Sequence, residues 1–243
     1  MTRFTKICLS FSSLLLVTAC ASDAPTGSYN SNSTTGYNTN NRVEVLSTKS
    51  IDTSLEKQLA AANNAGDTQK VLSLLQNIHA KNPNDAIVAT RYGRALREDD
   101  QVNAAVRVLG PFTKGEKAND EALTEMAMTQ LALGNFKSAE NYGQKAVAID
   151  EKNGRAYLAL GTALDAQKDH QAAEVAFRKG LKNWKGDSTP ILNNLALNLA
   201  SQGHLEEALS LIEKAQEVAP GRMDLERNRR IIATLLETTG GRS

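Results

Sequence analysis

Cysteine is nearly absent from this chain of 243 residues. The two that occur, Cys8 and Cys20, lie at the extreme N-terminus, so neither a disulfide framework nor a cysteine metal site can form in the remainder. Aromatic residues make up 5%, with one tryptophan. There is no surplus of charge, because 28 Lys and Arg face 27 Asp and Glu, and that balance argues against a dedicated nucleic-acid binder. The three histidines, His79, His170 and His204, fall far apart at surface-type positions, so no metal site is expected. No nucleophile stands with a base, and the turn glycines lack the Lys-Ser/Thr that completes a phosphate-cradling loop. Asp99-Asp100 and Glu206-Glu207 read as caps at helix starts, where carboxylates favour the helix dipole, rather than as acid/base pairs. The expectation is a protein that is not an enzyme, with no cofactor and no small-molecule substrate. What is present is 41% hydrophobic residues, enough for a core held by packing alone.

Residues 1–19 have the order of a bacterial export signal: basic Arg3 and Lys6, an apolar run around Phe11, Leu14, Leu15, Leu16 and Val17, then small residues. The run is too short to span a bilayer. Val17-Thr18-Ala19-Cys20 resembles a lipobox, which implies cleavage between Ala19 and Cys20 and a diacylglycerol on the Cys20 sulfur. Several acyl chains on one residue anchor stably where a single chain binds only marginally. Ala21 and Ser22, with no Asp directly after the lipid, resemble lipoproteins sorted to the outer membrane, lipid-anchored on its periplasmic face. Residues 20–50 read as the lipidated cysteine and a polar linker. From Ala21 to Asn41, 15 of 21 residues are Asn, Ser, Thr or Gly, a composition that cannot form a core. A tether of about 30 such residues has a root-mean-square span of roughly 30 Å. Tyr29 and Tyr37 read as idle linker residues or as docking spots.

Residues 51–243 read as a helical domain, because Ala- and Leu-rich units begin at Asp52, Ala86, Asp120, Gly154 and Thr189, spaced by 34, 34, 34 and 35 residues. The unit bounds are 52–85, 86–119, 120–153, 154–188 and 189–222. Residues recur where two helices must approach: Leu59, Gly93, Ala127, Gly161 and Ala196 at the eighth position, and Val71, Ala105, Ala139, Ala173 and Ala208 at the twentieth. Larger apolar residues occupy most of the twenty-fourth position, as Leu75, Leu109, Gly143, Phe177 and Ile212. Gly66, Gly134 and Gly203 mark turns between helices.

This pattern resembles a tetratricopeptide-repeat array, which implies an all-α superhelical solenoid of about five helix-turn-helix repeats. Helix A is expected near the first 14 positions of each unit and helix B near positions 17 to 30. Segments such as Gly134-Asn135-Phe136-Lys137-Ser138-Ala139 and Gly203-His204-Leu205-Glu206-Glu207-Ala208 carry the likeness. Asp99-Asp100 departs from it by replacing a turn glycine, and Pro111 falls inside the second helix B, where a missing N–H should kink or shorten the helix and leave Gly115 in a looser link. Residues 223–237 carry Leu225, Ile232 and Leu236, the stripe of a closing helix that caps the open end.

In such an array the second, fifth, ninth and twelfth positions of helix A line the inner groove, with the sixth nearby. Arg91, Arg94 and Arg97, with Arg155 two units on, form a basic strip suited to acidic side chains or a terminal carboxylate. The alternative is a solvated face neutralised by Glu98, Glu121 and Glu125. A second strip, Met128, Leu131, Leu158, Thr162, Asn193, Asn194 and Leu197, offers apolar contacts and amides to a peptide or partner helix, although core packing accounts for some of these residues equally well. The ninth position reads Ala60, Arg94, Met128, Thr162 and Leu197, so the Lys/Asn clamp of chaperone-binding relatives is missing. Trp184, between units four and five, is either a contact hot spot or the cover of an inter-repeat joint.

The layout of lipobox, polar linker and about five repeats resembles the TadD family of lipoproteins from tight-adherence (Flp) pilus assembly, and in logic the pilotins. That likeness implies a protein partner, a secretin or another pilus-assembly component, held near the membrane by raised local concentration and groove binding. The alternatives are an adaptor for cell-wall hydrolases or proteases, like the NlpI-type lipoproteins, or a component of outer-membrane barrel assembly like BamD.

Overall fold

The computed structural model describes residues 53–240. Cys20, the cleavage position, the linker and its tyrosines lie outside these residues. Eleven α-helices and no strand occur among the described residues. They are α1 (Thr53–Asn64) and α2 (Thr68–Lys81), α3 (Ala86–Glu98) and α4 (Val102–Leu109), α5 (Asp120–Ala132) and α6 (Phe136–Ile149), α7 (Gly154–Ala166) and α8 (His170–Lys182), α9 (Thr189–Ser201) and α10 (Leu205–Val218), closed by α11 (Met223–Gly240). Consecutive helices pair as hairpins, and each hairpin packs on the next. The odd-numbered helices are the A-helices and the even-numbered ones from α2 to α10 are the B-helices.

Local chemistry sets the boundaries. A side chain just before each of three A-helices closes its first turn: Asp85 accepts from the Ile87 and Val88 amides, Asn119 from Ala122, and Asn153 from Ala156. Asn153 also donates to Asp120 at 2.8 Å, so one residue both starts α7 and ties it to the preceding repeat. The turn from helix A to helix B takes one left-handed residue at the same register each time: Gly66, Asp100, Gly134, Lys168 and Gly203. Asp99 closes the end of α3 and Asp100 makes the turn, so this pair does not cap a helix start. Glu206 and Glu207 do sit in the first turn of α10.

Pro111 has the predicted effect, since α4 stops at Leu109 after eight residues and gives way to a 3-10 turn over Gly110–Phe112. That tighter turn brings Phe112, 2% exposed, against Ala89 and Ala122. The eighth position is the point of closest approach within a hairpin. A Cβ on Gly161 would stand 2.6 Å from the Phe177 ring, and one on Gly93 would stand 2.6 Å from Leu109. A single apolar cluster runs from Ala173 on α8 to Ile232 on α11. Ahead of it the core is divided into four smaller clusters.

Candidate protein-binding groove

Each A-helix turns distinct faces to its neighbours. The third, seventh and tenth residues meet the preceding B-helix, as Val88 meets Leu74 and Ile78, and the fourth, eighth and eleventh meet the helix's own B partner. The second, fifth, ninth and twelfth remain on the side where A-helices lie against one another. Polar pairs stitch that side together. Arg91 gives Nη1 and Nη2 to Glu56 at 2.8 and 3.0 Å. Asn194 Nδ2 donates to Thr162 Oγ1 at 3.2 Å, and Asn228 Nδ2 donates to Asn193 Oδ1 at 2.8 Å.

The basic strip is built around Glu125, which has no exposed surface. Arg94 Nε donates to it at 2.7 Å, Arg97 Nη2 at 3.3 Å, and Arg155 Nη2 completes the cluster. Burial by itself would push this carboxyl up, but the positive field of Arg94, Arg155 and Arg97, with the Arg155 hydrogen bond, brings it down to about 2. Glu121 goes the other way, raised by burial despite Arg155 nearby. The neutralising acids are thus partly those read from the sequence: Glu125 takes three arginines, Glu98 lies 3.2 Å from Arg97 and Glu121 lies 3.6 Å from Arg155. Glu56, the partner of Arg91, was not among them, because nothing local links residues 35 apart. The structure therefore brings Arg94, Arg97 and Arg155 together but commits them largely to the protein itself. Arg94 keeps Nη1 and Nη2 without a partner among the described residues.

The second strip is more open. Met128, Leu131, Leu158, Thr162, Asn193, Asn194 and Leu197 are all half-buried, on the groove face of α5, α7 and α9. The stitching uses one polar atom of each asparagine and leaves Asn193 Nδ2 and Asn194 Oδ1 unpartnered among the described residues. A donor and an acceptor on adjacent residues beside apolar side chains suit an extended peptide, whose backbone offers the complementary pair. Trp184 covers a joint: its ring packs on the α8–α11 core and its Nε1 donates to the Asp187 carbonyl at 2.6 Å.

Two histidines depart from the surface reading. His79 has a buried Nδ1 with no hydrogen-bond partner and lies 5.5 Å from the Tyr92 ring, and burial lowers its pKa. His170 Nδ1 lies 2.7 Å from Asp165 Oδ1. The closing helix also does more than close. Its fifth, ninth and twelfth residues are Arg227, Ile231 and Thr234, so α11 extends the groove face by one more helix. The signal was in the sequence, since Met223 follows Thr189 by 34 residues.

Comparison with known proteins agrees with this architecture. One tetratricopeptide repeat model matches residues 120–153 and 154–183, and a second matches residues 191–218. The TPR repeat-containing protein YpiA of Bacillus subtilis (strain 168) is 26% identical over 156 residues, which are 64% of this chain and 37% of that protein. The chain therefore spans well under half the length of this curated relative. Among solved structures, a thermophilic TPR protein of Thermus thermophilus aligns with a TM-score of 0.63 at 20% identity, over 76% of this chain and 98% of that one. The Cut9–Hcn1 hetero-tetramer of the APC/C aligns at 0.67 and 12% identity, over 73% of this chain and 36% of that one. At these identities the likeness is one of fold. The chain carries tetratricopeptide repeats arranged as a solenoid, a scaffold for protein–protein interaction and a fold that is typically non-catalytic.

Proposed function

We propose that this protein is an outer-membrane-anchored periplasmic adaptor that holds a component of a Flp/type IV pilus or secretion apparatus, a secretin or an assembly partner, in the groove face of α5, α7 and α9. The observation that carries the adaptor reading is the half-buried strip from Met128 to Leu197 with Asn193 Nδ2 and Asn194 Oδ1 unpartnered among the described residues. The anchor is supported by Arg3, Lys6, the short apolar run and the Val17-Thr18-Ala19-Cys20 box. The pilus assignment is supported by the order of lipobox, polar linker and repeats. One structural relative, Cut9–Hcn1, is itself a hetero-tetramer, a precedent for the scaffold role alone.

The test is an affinity pull-down of the lipidated protein from detergent-solubilised envelopes, read by mass spectrometry, beside Cys20→Ala and Leu197→Glu with Met128→Glu. A secretin or pilus-assembly protein recovered by the parent and lost in the groove variant supports the reading. Murein hydrolases or barrel-assembly proteins in its place replace the pilus assignment with one of the other adaptor roles. The same partners recovered undiminished by the groove variant remove the groove from the mechanism.

A further inference from the structure

The helix α11 occupies the place of a sixth A-helix. Leu225 and Ile232, at its third and tenth positions, are fully buried against the preceding hairpin. Asn228, at the sixth, reaches back to Asn193 as Arg91 reaches back to Glu56. At the eighth position, where α3, α5, α7 and α9 carry Gly93, Ala127, Gly161 and Ala196 and α1 carries Leu59, α11 carries the exposed Arg230. No B-helix follows α11 among the described residues.

The groove side of α11 has a different character. In earlier A-helices, residues at the fifth, ninth or twelfth position hold the sixth residue of the next A-helix: Glu56 with Arg91, Arg94 and Arg97 with Glu125, Thr162 with Asn194, Asn193 with Asn228. Among the described residues no further A-helix lies against the corresponding residues of α11. Arg227, Arg230, Ile231 and Thr234, with Leu235 beyond, frame a hollow of about 400 Å³, and Ile231 is 41% exposed. Residues at i, i+3, i+4 and i+7 form the four-sided hole that receives one side chain of a facing helix. Neither arginine has an acidic partner among the described residues.

We propose that this hollow docks an α-helix of another protein, acidic and amphipathic, which joins the end of the solenoid as a further A-type helix. An aliphatic side chain of that helix seats between Arg227, Arg230, Ile231 and Thr234, and its carboxylates pair with the two arginines, as Glu125 pairs with Arg94 earlier in the array. A second copy of this chain is a poor occupant. Its first A-helix brings Lys57 at the sixth position, and two α11 helices packed on this face gather four arginines, Arg227 and Arg230 of each copy, into one interface, so both modes set like charges together. The inference rests on α11 and is independent of what the rest of the groove holds.

The experiment titrates the full chain with two labelled helical peptides of roughly five turns, alike in their leucine stripe but flanked by glutamates in one and lysines in the other, read by fluorescence anisotropy. The glutamate peptide is expected to bind at least about tenfold more tightly, and Arg227→Glu with Arg230→Glu to invert that order without changing the far-ultraviolet circular dichroism. Equal binding of the two peptides, no binding of either, or an order unchanged by the double substitution overturns the proposal. So does concentration-dependent self-association in sedimentation that the double substitution abolishes, since the face then belongs to a second copy.

Discussion

Arg94 Nε lies 2.7 Å from Glu125 Oε1, and that bond joins the A-helices of the second and third repeats on a carboxylate with no exposure to solvent. With Arg97 and Arg155 on the same acceptor, three cations share one buried anion. Removing a buried partner leaves uncompensated charge, which costs about 3–5 kcal/mol. Glu125→Gln is expected to lower the unfolding free energy from urea titration by an amount in that range. Glu56→Gln, which breaks the more exposed pair with Arg91, is expected to cost no more than about 1 kcal/mol.

Acid acts through the same group. The folded-state pKa of Glu125 is depressed to about 2 from an ordinary 4.5, so its stabilisation is complete above the ordinary value and is lost as pH falls through the folded one. A depression of that size corresponds to something on the order of 3 kcal/mol. Glu121, whose pKa is raised, works with the opposite sign and gains stability as acid protonates it. Unfolding free energy measured against pH is expected to fall steeply between about 4.5 and 2, and Glu125→Gln is expected to flatten that fall.

Lys168 holds a backbone φ of +68°, in the register where Gly66, Gly134 and Gly203 sit. A β-carbon in that conformation costs about 1–2 kcal/mol, offset in part by the greater freedom of glycine in the unfolded chain. Lys168→Gly is expected to stabilise by roughly 0.5–1 kcal/mol and to raise the melting temperature by a few degrees. An unchanged or lower melting temperature would contradict the strain argument.

Gly161→Ala tests the hairpin contact in the other direction. Helix propensity favours alanine by about 1 kcal/mol, yet the new methyl would meet the Phe177 ring at 2.6 Å. Overpacking costs about 1–3 kcal/mol, and the clash should win. Gly161→Ala is expected to destabilise, and the double variant with Phe177→Leu to recover part of the loss, as measured by thermal unfolding.

Charge reversal separates the two strips. Arg94→Glu would set a second carboxylate against buried Glu125, so it is expected to lower the melting temperature and mislead any binding assay. Arg91→Gln disturbs only the partly exposed pair with Glu56. Partner capture is expected to survive Arg91→Gln and to fail in Leu197→Glu with Met128→Glu, with helical content retained in both.

The repeat was legible because its period counts residues, and hairpin geometry obeys the same count: small side chains recur where backbones close on each other, as Gly161 does on Phe177. The turns at Asp99-Asp100 and at Lys168-Asp169-His170 were legible from the register, but the left-handed backbone at Asp100 and Lys168 was not, since the surrounding structure imposes that conformation whatever residue stands there. The basic strip was visible with three of its acids, Glu98, Glu121 and Glu125, but not with Glu56, which lies 35 residues from Arg91, nor with the burial of Glu125, which looked like part of a solvated face. The groove face of α11 was hidden by treating that helix as an end, when the same count of 34 carries one step past Thr189 to Met223.

The unequal division of the core has a mechanical consequence. From α8 to α11 one apolar cluster is continuous, whereas α1 is held by a small cluster shared with α2 and α3 and by the Glu56–Arg91 pair, whose side chains are 33% and 37% exposed. Tension entering at the N-terminal side is expected to load this small join first. Unwinding the 12 residues of α1 from about 1.5 to about 3.4 Å per residue lengthens the chain by roughly 20 Å, while the strip from Met128 to Leu197 keeps its shape. The first helix is a short spring in series with a stiff rod.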